Sequence, residues 1–184
     1  MVCTMRVAFF GGSFNPPHVA HQFVALYVLE TAAVDELWLV PCAKHPFDKA
    51  LAPFEHRLRM CELAAAALGP RVRVSDIESR LGGDSRTLVT LKALWAEHPN
   101  REFHLVVGAD IEPELRLWYG AEELLREVPR IVVGRGGFCG GDGLAMPAVS
   151  STEVRGRIAR GQSVADLVPR QVDAYIREHS LYVG

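Results

Sequence analysis

Short apolar runs alternate with stretches of helical periodicity along this chain of 184 residues. Residues 7–10 (Val-Ala-Phe-Phe) form an uninterrupted apolar run, as expected of a strand buried on both faces. Val19, Phe23, Leu26 and Tyr27 then repeat at helical spacing within 18–32. Residues 36–40 read as a second strand, stopped by Pro41, and 54–68 as a helix ended by Gly69-Pro70. A third strand is expected at 72–75, a helix at 87–98, a fourth strand at 103–107 and a fifth at 130–133. Helical pieces are expected at 112–118, 121–127, 152–160 and 169–179, and residues 148–149 read as a short last strand. Residues 43–53, 78–86 and 138–143 read as connections, each carrying glycine or proline.

This alternation predicts an α/β fold with a doubly wound, mostly parallel sheet of five to six strands. No internal repeat or linker divides the chain, so residues 1–184 are expected to form one domain. A chain of this length buries about 70% of the surface exposed when unfolded. In such sheets ligands bind beyond the carboxyl ends of the strands. Segments 11–21, 41–49 and 108–110, and Arg135, each follow an apolar run and are expected on one rim.

The first of these segments carries the most chemistry. Gly11-Gly12-Ser13 lets backbone approach a ligand closely, and Asn15-Pro16-Pro17 forces a turn. His18 and His21, three apart, fall on one face of the helix that follows. Backbone N–H groups, the positive helix end and two imidazoles together suit a phosphate. Turn geometry with helix capping explains the glycines and prolines but not both histidines. Ser150-Ser151-Thr152-Glu153-Val154-Arg155 offers hydroxyls, amides and a guanidinium at another helix start, a second phosphate cradle. Its Ser-x-x-Glu spacing also fits a capping box, and the two readings are compatible. Lys44, His45 and Lys49 lie in a loop that is either ligand-binding or merely solvated. Asp110 is placed either to accept from ribose hydroxyls or to cap a helix, and Trp118 is either a stacking plate or core.

Two phosphate cradles, basic residues and no evident nucleophile point to phosphoryl or nucleotidyl transfer by positioning and charge neutralisation. The chain has no Walker A sequence, which removes a P-loop reading, and no Gly-x-Gly-x-x-Gly after its first strand, which weakens a dinucleotide-oxidoreductase reading. A net charge of −2 argues against a nucleic-acid-coating surface. No apolar run is long enough to span a bilayer, and no signal peptide precedes the first strand. The four cysteines, Cys3, Cys42, Cys61 and Cys139, form no Cys-x-x-Cys pair, so a structural zinc site is not expected. A cytoplasmic protein with reduced thiols is the expectation. Cys42, near the site, is either a reactive thiol or a small buried side chain.

The segment from Gly11 to His21 resembles the signature Gly-Gly-[Ser/Thr]-Phe-[Asp/Asn]-Pro-x-His-x-Gly-His of the HxGH nucleotidyltransferases, whose fold is Rossmann-like. The segment from Ser150 to Arg155 resembles their second signature, Ser-Ser-Thr-x-[Ile/Val]-Arg. Within that superfamily the chain is most similar to bacterial nicotinate-nucleotide adenylyltransferases. The supporting segments are 85–91, Val107-Gly108-Ala109-Asp110, Trp118, Val132-Val133-Gly134-Arg135 and 167–182. The resemblance implies an enzyme of NAD biosynthesis. It would transfer AMP from ATP to nicotinate mononucleotide with Mg²⁺, releasing pyrophosphate, with no covalent intermediate.

The resemblance also implies roles. His18 and His21 would contact ATP phosphates and stabilise the transition state, while Ser151, Thr152 and Arg155 would hold the β- and γ-phosphates. Lys49, with Lys44 or His45, would add charge. Gly11, Gly12, Ser13, Phe14, Gly108 and Arg135 fall on the ATP side, and Asp110 would bind ribose. Thr87 would take the nicotinate carboxylate and Trp118 would stack on the pyridine ring. A sister enzyme using nicotinamide mononucleotide, phosphopantetheine or CTP, and a nucleotide-binding module without turnover, are the competing expectations. Self-association is left open. Three departures from the family pattern stand out: Ala20 where glycine is usual, His45-Pro-Phe-Asp-Lys49 in place of Pro-Pro-His-Lys, and Arg86 in place of an aromatic residue.

Overall fold

The computed structural model describes residues 4–44, 51–134 and 146–183. Among them five strands form one sheet: β1 (Met5–Gly12), β2 (Glu36–Pro41), β3 (Val72–Val74), β4 (Arg101–Gly108) and β5 (Arg130–Val133). The order is β3-β2-β1-β4-β5, and every neighbouring pair is parallel. This is the Rossmann-like architecture expected. The candidate strand at 148–149 does not form. Met146 makes a single bridge, its N–H donating to the Gly134 carbonyl at 3.2 Å. Beyond it the Val149 N–H donates to the Pro147 carbonyl at 2.9 Å, a local turn instead of a ladder bond.

Each strand is followed by helix, as parallel pairing requires. The helices are α1 (Val19–Thr31), α2 (Phe54–Ala66), α3 (Ile77–Leu81), α4 (Thr87–Glu97), α5 (Ala121–Glu127), α6 (Ser151–Ala159) and α7 (Arg170–Glu178), with a 3₁₀ turn at Glu112–Leu117. The connection expected at 78–86 is therefore shorter, because α3 takes its first residues. Ile77 and Glu78 are buried there, so tertiary packing rather than length holds that single turn.

Alternation along the strands feeds two cores. Val7, Phe9, Phe103, Leu105 and Val107 face α3, α4, α5 and the 3₁₀ turn. Ala8, Leu37, Leu39 and Val106 face α1 and α2, where Ala25, Val28, Leu29 and Cys61 complete the packing. A third cluster ties α2 to α6 and α7 through Met60, Ala64, Val154, Val172 and Ile176. Burying a leucine or valine in these layers contributes roughly 1.5–3 kcal/mol.

The chain runs outward from β1 to β3, then returns to β4 on the other side of β1. That reversal leaves a crevice beyond the carboxyl ends of β1 and β4, at Gly12 and Gly108.

Candidate active site

β1 delivers the first cradle. A Cβ on Gly11 would lie 2.9 Å from the Phe9 ring, and one on Gly12 would lie 3.2 Å from the Phe14 ring. Both glycines are thus fixed by close packing beneath the turn. Phe14 is 1% exposed, with its ring in the core, so any contribution to a ligand comes from its backbone. The Asn15–Pro16 peptide bond is cis. His18 then caps α1, and the His18 and His21 rings stack with centroids 3.7 Å apart. Phe14 meets the His21 ring edge-on at 4.9 Å.

The His18 backbone N–H donates to His21 Nδ1 at 3.0 Å. This bond defines the imidazole. Nδ1 must keep its lone pair, so the His21 proton sits on Nε2 and the ring acts as a neutral donor. The Val19 N–H donates to the Leu167 carbonyl at 2.9 Å. The cradle of backbone amides expected at this helix start is therefore largely consumed inside the protein. The two imidazoles and the helix dipole carry the attraction for an anion.

The second cradle sits against the first. Ser150 caps α6, its Oγ accepting from the Glu153 N–H at 3.1 Å. Ser151 Oγ donates to the Pro16 carbonyl at 2.9 Å, and Arg155 Nη1 donates to the Asn15 carbonyl at 2.8 Å. Asn15 Oδ1 accepts from the Ala52 N–H and the Tyr182 hydroxyl. The two motifs, 135 residues apart from Pro16 to Ser151, are one structural unit. Helix geometry leaves the Ser151 and Thr152 N–H groups without intrahelical acceptors, so amides are on offer here rather than at α1. Arg155 Nη2 also lies 3.4 Å from Thr152 Oγ1, and its guanidinium keeps further donors for a ligand.

A cleft of about 480 Å³ runs from the histidines to the far end of β4. Gly11, Gly12, Ser13, His18, His21, Gly108, Thr87 and Trp118 line it. Trp118 packs against the core, as one of its two readings expects, and also lines the cleft. The methyl group of Ala20 is on the wall as well. Asp110 lies behind Gly108, whose Cβ position its carboxylate oxygen fills. Lys44 Nζ pairs with Asp84 at 3.1 Å on the rim. His45, Lys49 and Arg135, and the connection at 138–143, lie outside the described residues.

Four residues on or under this cleft were not candidates from the sequence. Ser85 and Tyr119 stand on its wall beside Thr87 and Trp118. Glu78 is buried, with Oε2 accepting from the Ala43 N–H at 3.1 Å and Oε1 from the Thr90 hydroxyl at 2.8 Å. Arg57, 1% exposed, donates to the carbonyls of Ser13, Cys42, Ala43 and Ala52 at 2.7–3.2 Å. Their neighbours in sequence held the signal only for Ser85 and Tyr119, which flank Thr87 and Trp118. Burial pushes the Cys42 thiol above its ordinary value against the opposing pull of Arg57. A protonated thiol is a poor nucleophile, so Cys42 reads as a packed wall residue.

A Rossmann-like sheet with paired histidines and a hydroxyl-capped helix meeting at its switch point defines a nucleotidyltransferase. The family model described as cytidylyltransferase-like matches residues 9–157. A relative from Anaeromyxobacter dehalogenans (strain 2CP-1 / ATCC BAA-258) is 48% identical over 183 residues, covering 97% of each chain. One from Myxococcus xanthus is 43% identical, covering 97% of this chain and 95% of the relative. Both carry the name "Probable nicotinate-nucleotide adenylyltransferase". The chain belongs to the nicotinate-nucleotide adenylyltransferase family. A solved structure of Plasmodium falciparum nicotinic acid mononucleotide adenylyltransferase complexed with NaAD shares the fold, with TM-score 0.83, 24% identity and 97% coverage of each chain.

Proposed function

We propose that this enzyme transfers AMP from ATP to nicotinate mononucleotide, giving nicotinate adenine dinucleotide and pyrophosphate in NAD biosynthesis. The observation that carries this reading is the junction of Ser151 and Arg155 with the carbonyls of Pro16 and Asn15. It brings the start of α6 against the turn that leads into His18, and His18 and His21 line the cleft whose wall includes Trp118.

In this reading a 5′-phosphate oxygen of the mononucleotide attacks the α-phosphorus of ATP, and the bond to the bridging pyrophosphate oxygen breaks. No proton is gained or lost in the exchange. The chain's work is positioning and charge stabilisation. His21 donates its Nε2–H, and His18 adds a second donor where negative charge builds on the α-phosphoryl oxygens. Ser151, Thr152 and Arg155 hold the β- and γ-phosphates and favour the departing pyrophosphate. Gly11, Gly12, Ser13 and Gly108 let the nucleotide lie against backbone, and Asp110 takes the ribose. Lys44, His45, Lys49 and Arg135 supply charge from the rim. Thr87 and Trp118 hold the pyridine ring.

Among the described residues no group of three His, Cys, Asp or Glu side chains could hold a metal ion. In this reading Mg²⁺ enters with ATP as substrate, held by phosphate oxygens and its own waters. Residues 1–184 are read as one cytoplasmic nucleotidyltransferase domain. No helix among the described residues is long and apolar enough to cross a membrane.

The test is pyrophosphate release from Mg-ATP with nicotinate mononucleotide. His18→Ala is expected to lower kcat at least ~10²-fold while leaving the fold intact, as loss of a transition-state donor does. Turnover within a few-fold of the parent enzyme would remove His18 from the chemistry. Pyrophosphate release with neither pyridine mononucleotide would remove the assignment.

A further inference from the structure

We propose that Arg86 reads the negative charge on the pyridine ring and makes the cleft prefer the ring acid to the ring amide. The inference rests on the function proposed above and concerns the part of the cleft wall that carries Ser85, Arg86, Thr87 and Trp118. Among the described residues lining the cleft, Arg86 is the only lysine or arginine and Glu78 the only aspartate or glutamate. Both oxygens of Glu78 are engaged, one by the Ala43 N–H and one by the Thr90 hydroxyl, so its charge is spent on the scaffold. Arg86 has a counter-charge only in common with a second cation.

Asp84 is its nearest acid, with Oδ2 3.6 Å from Arg86 Nη2. The other oxygen of the same carboxylate lies 3.1 Å from Lys44 Nζ. Two cations share one anion, which leaves the cluster with an excess positive charge. The guanidinium is held 5.9 Å over the Tyr119 ring, next to Trp118 on the cleft wall. Ser85 fixes the segment, its N–H donating to the Lys44 carbonyl at 3.0 Å while its Oγ accepts from the Lys44 N–H at 3.2 Å. Arg86 is also the N-cap of α4 and so sits at the positive end of that helix.

A neutral carboxamide gains little from this surplus charge. A carboxylate gains a charge-assisted partner on a plane that guanidinium matches and ammonium does not. The half-exposed position limits the gain to about two- to fivefold in binding, the scale of a partly screened ion contact.

The experiment compares kcat/KM for nicotinate and nicotinamide mononucleotides in the parent enzyme, Arg86→Gln and Arg86→Lys, at fixed Mg-ATP. The parent enzyme is expected to favour the acid. Arg86→Gln should lower the acid-to-amide ratio about two- to fivefold, mostly through KM for the acid, and Arg86→Lys should restore part of it. Melting curves confirm that each variant is folded, and calorimetric Kd for nicotinate mononucleotide reads the same preference without turnover. An unchanged ratio and Kd in Arg86→Gln overturns the inference while leaving the proposed reaction standing. No dinucleotide from either substrate overturns the reaction itself.

Discussion

Arg57 shows how one side chain assembles the site from beneath. Its guanidinium ties the carbonyl of Ser13, in the first cradle, to those of Cys42 and Ala43 after β2 and Ala52 before α2. Arg57→Met would leave four carbonyls facing a dry thioether. The expected loss is about 3–5 kcal/mol, the cost of removing one partner from a buried charged network. Urea unfolding at neutral pH measures it, and a loss under about 1 kcal/mol would mean that water replaces the guanidinium there. The sequence concealed this residue because charged positions on a helix usually face solvent. By contrast His18 and His21 were legible, since a spacing of three after a proline turn fixes a shared face. What the spacing did not carry was the His18 N–H bond that selects the His21 tautomer, because it depends on the exact backbone turn at the cap.

α6 is the element on which the two halves of the site meet. Its first turn holds both the Ser150 cap and the hydroxyls and amides proposed to take phosphate, and Ser151 and Arg155 anchor it to the turn after β1. Ser150→Ala removes the bond to the Glu153 N–H and should cost about 1 kcal/mol. It should also raise KM for ATP, because the amides of Ser151 and Thr152 are presented by that turn. Thermal melting and ATP titration together check this, and a melting shift with no change in KM would separate the cap from the cradle. At this scale the sequence was most informative. Strong periodicity places α5 and β5 at the expected bounds and the other strands within a few residues. The errors fall where pattern is short. α3 has five residues and no periodicity to display, and 148–149 look like a strand although the Val149 N–H turns back to the Pro147 carbonyl.

Across the whole molecule, three clusters of apolar side chains hold protons as well as shape. Strand order could not be read from runs that are apolar on both sides, since each fits any interior place. What the assembled layers create is a set of ionisable groups shut away from water. Cys61 is 0% exposed between the sheet and α2, and burial drives its thiol far above the ordinary value of 9.0. Burial raises Cys42 and the Tyr182 phenol as well. In each case the folded state retains a proton that the unfolded chain releases. The stability these groups support is therefore complete below about pH 9 and declines as pH rises beyond it. Each fully buried thiol should cost about 1.4 kcal/mol by pH 10, one unit above its unfolded value. Denaturant unfolding at pH 7.5 and pH 10 should show this loss in the parent chain. Cys61→Ala, which deletes one titrating group for a small packing cost at both pH values, should recover about that amount of the difference. An equal alkaline loss in the variant would show that the interior around α2 opens to water before the protein unfolds.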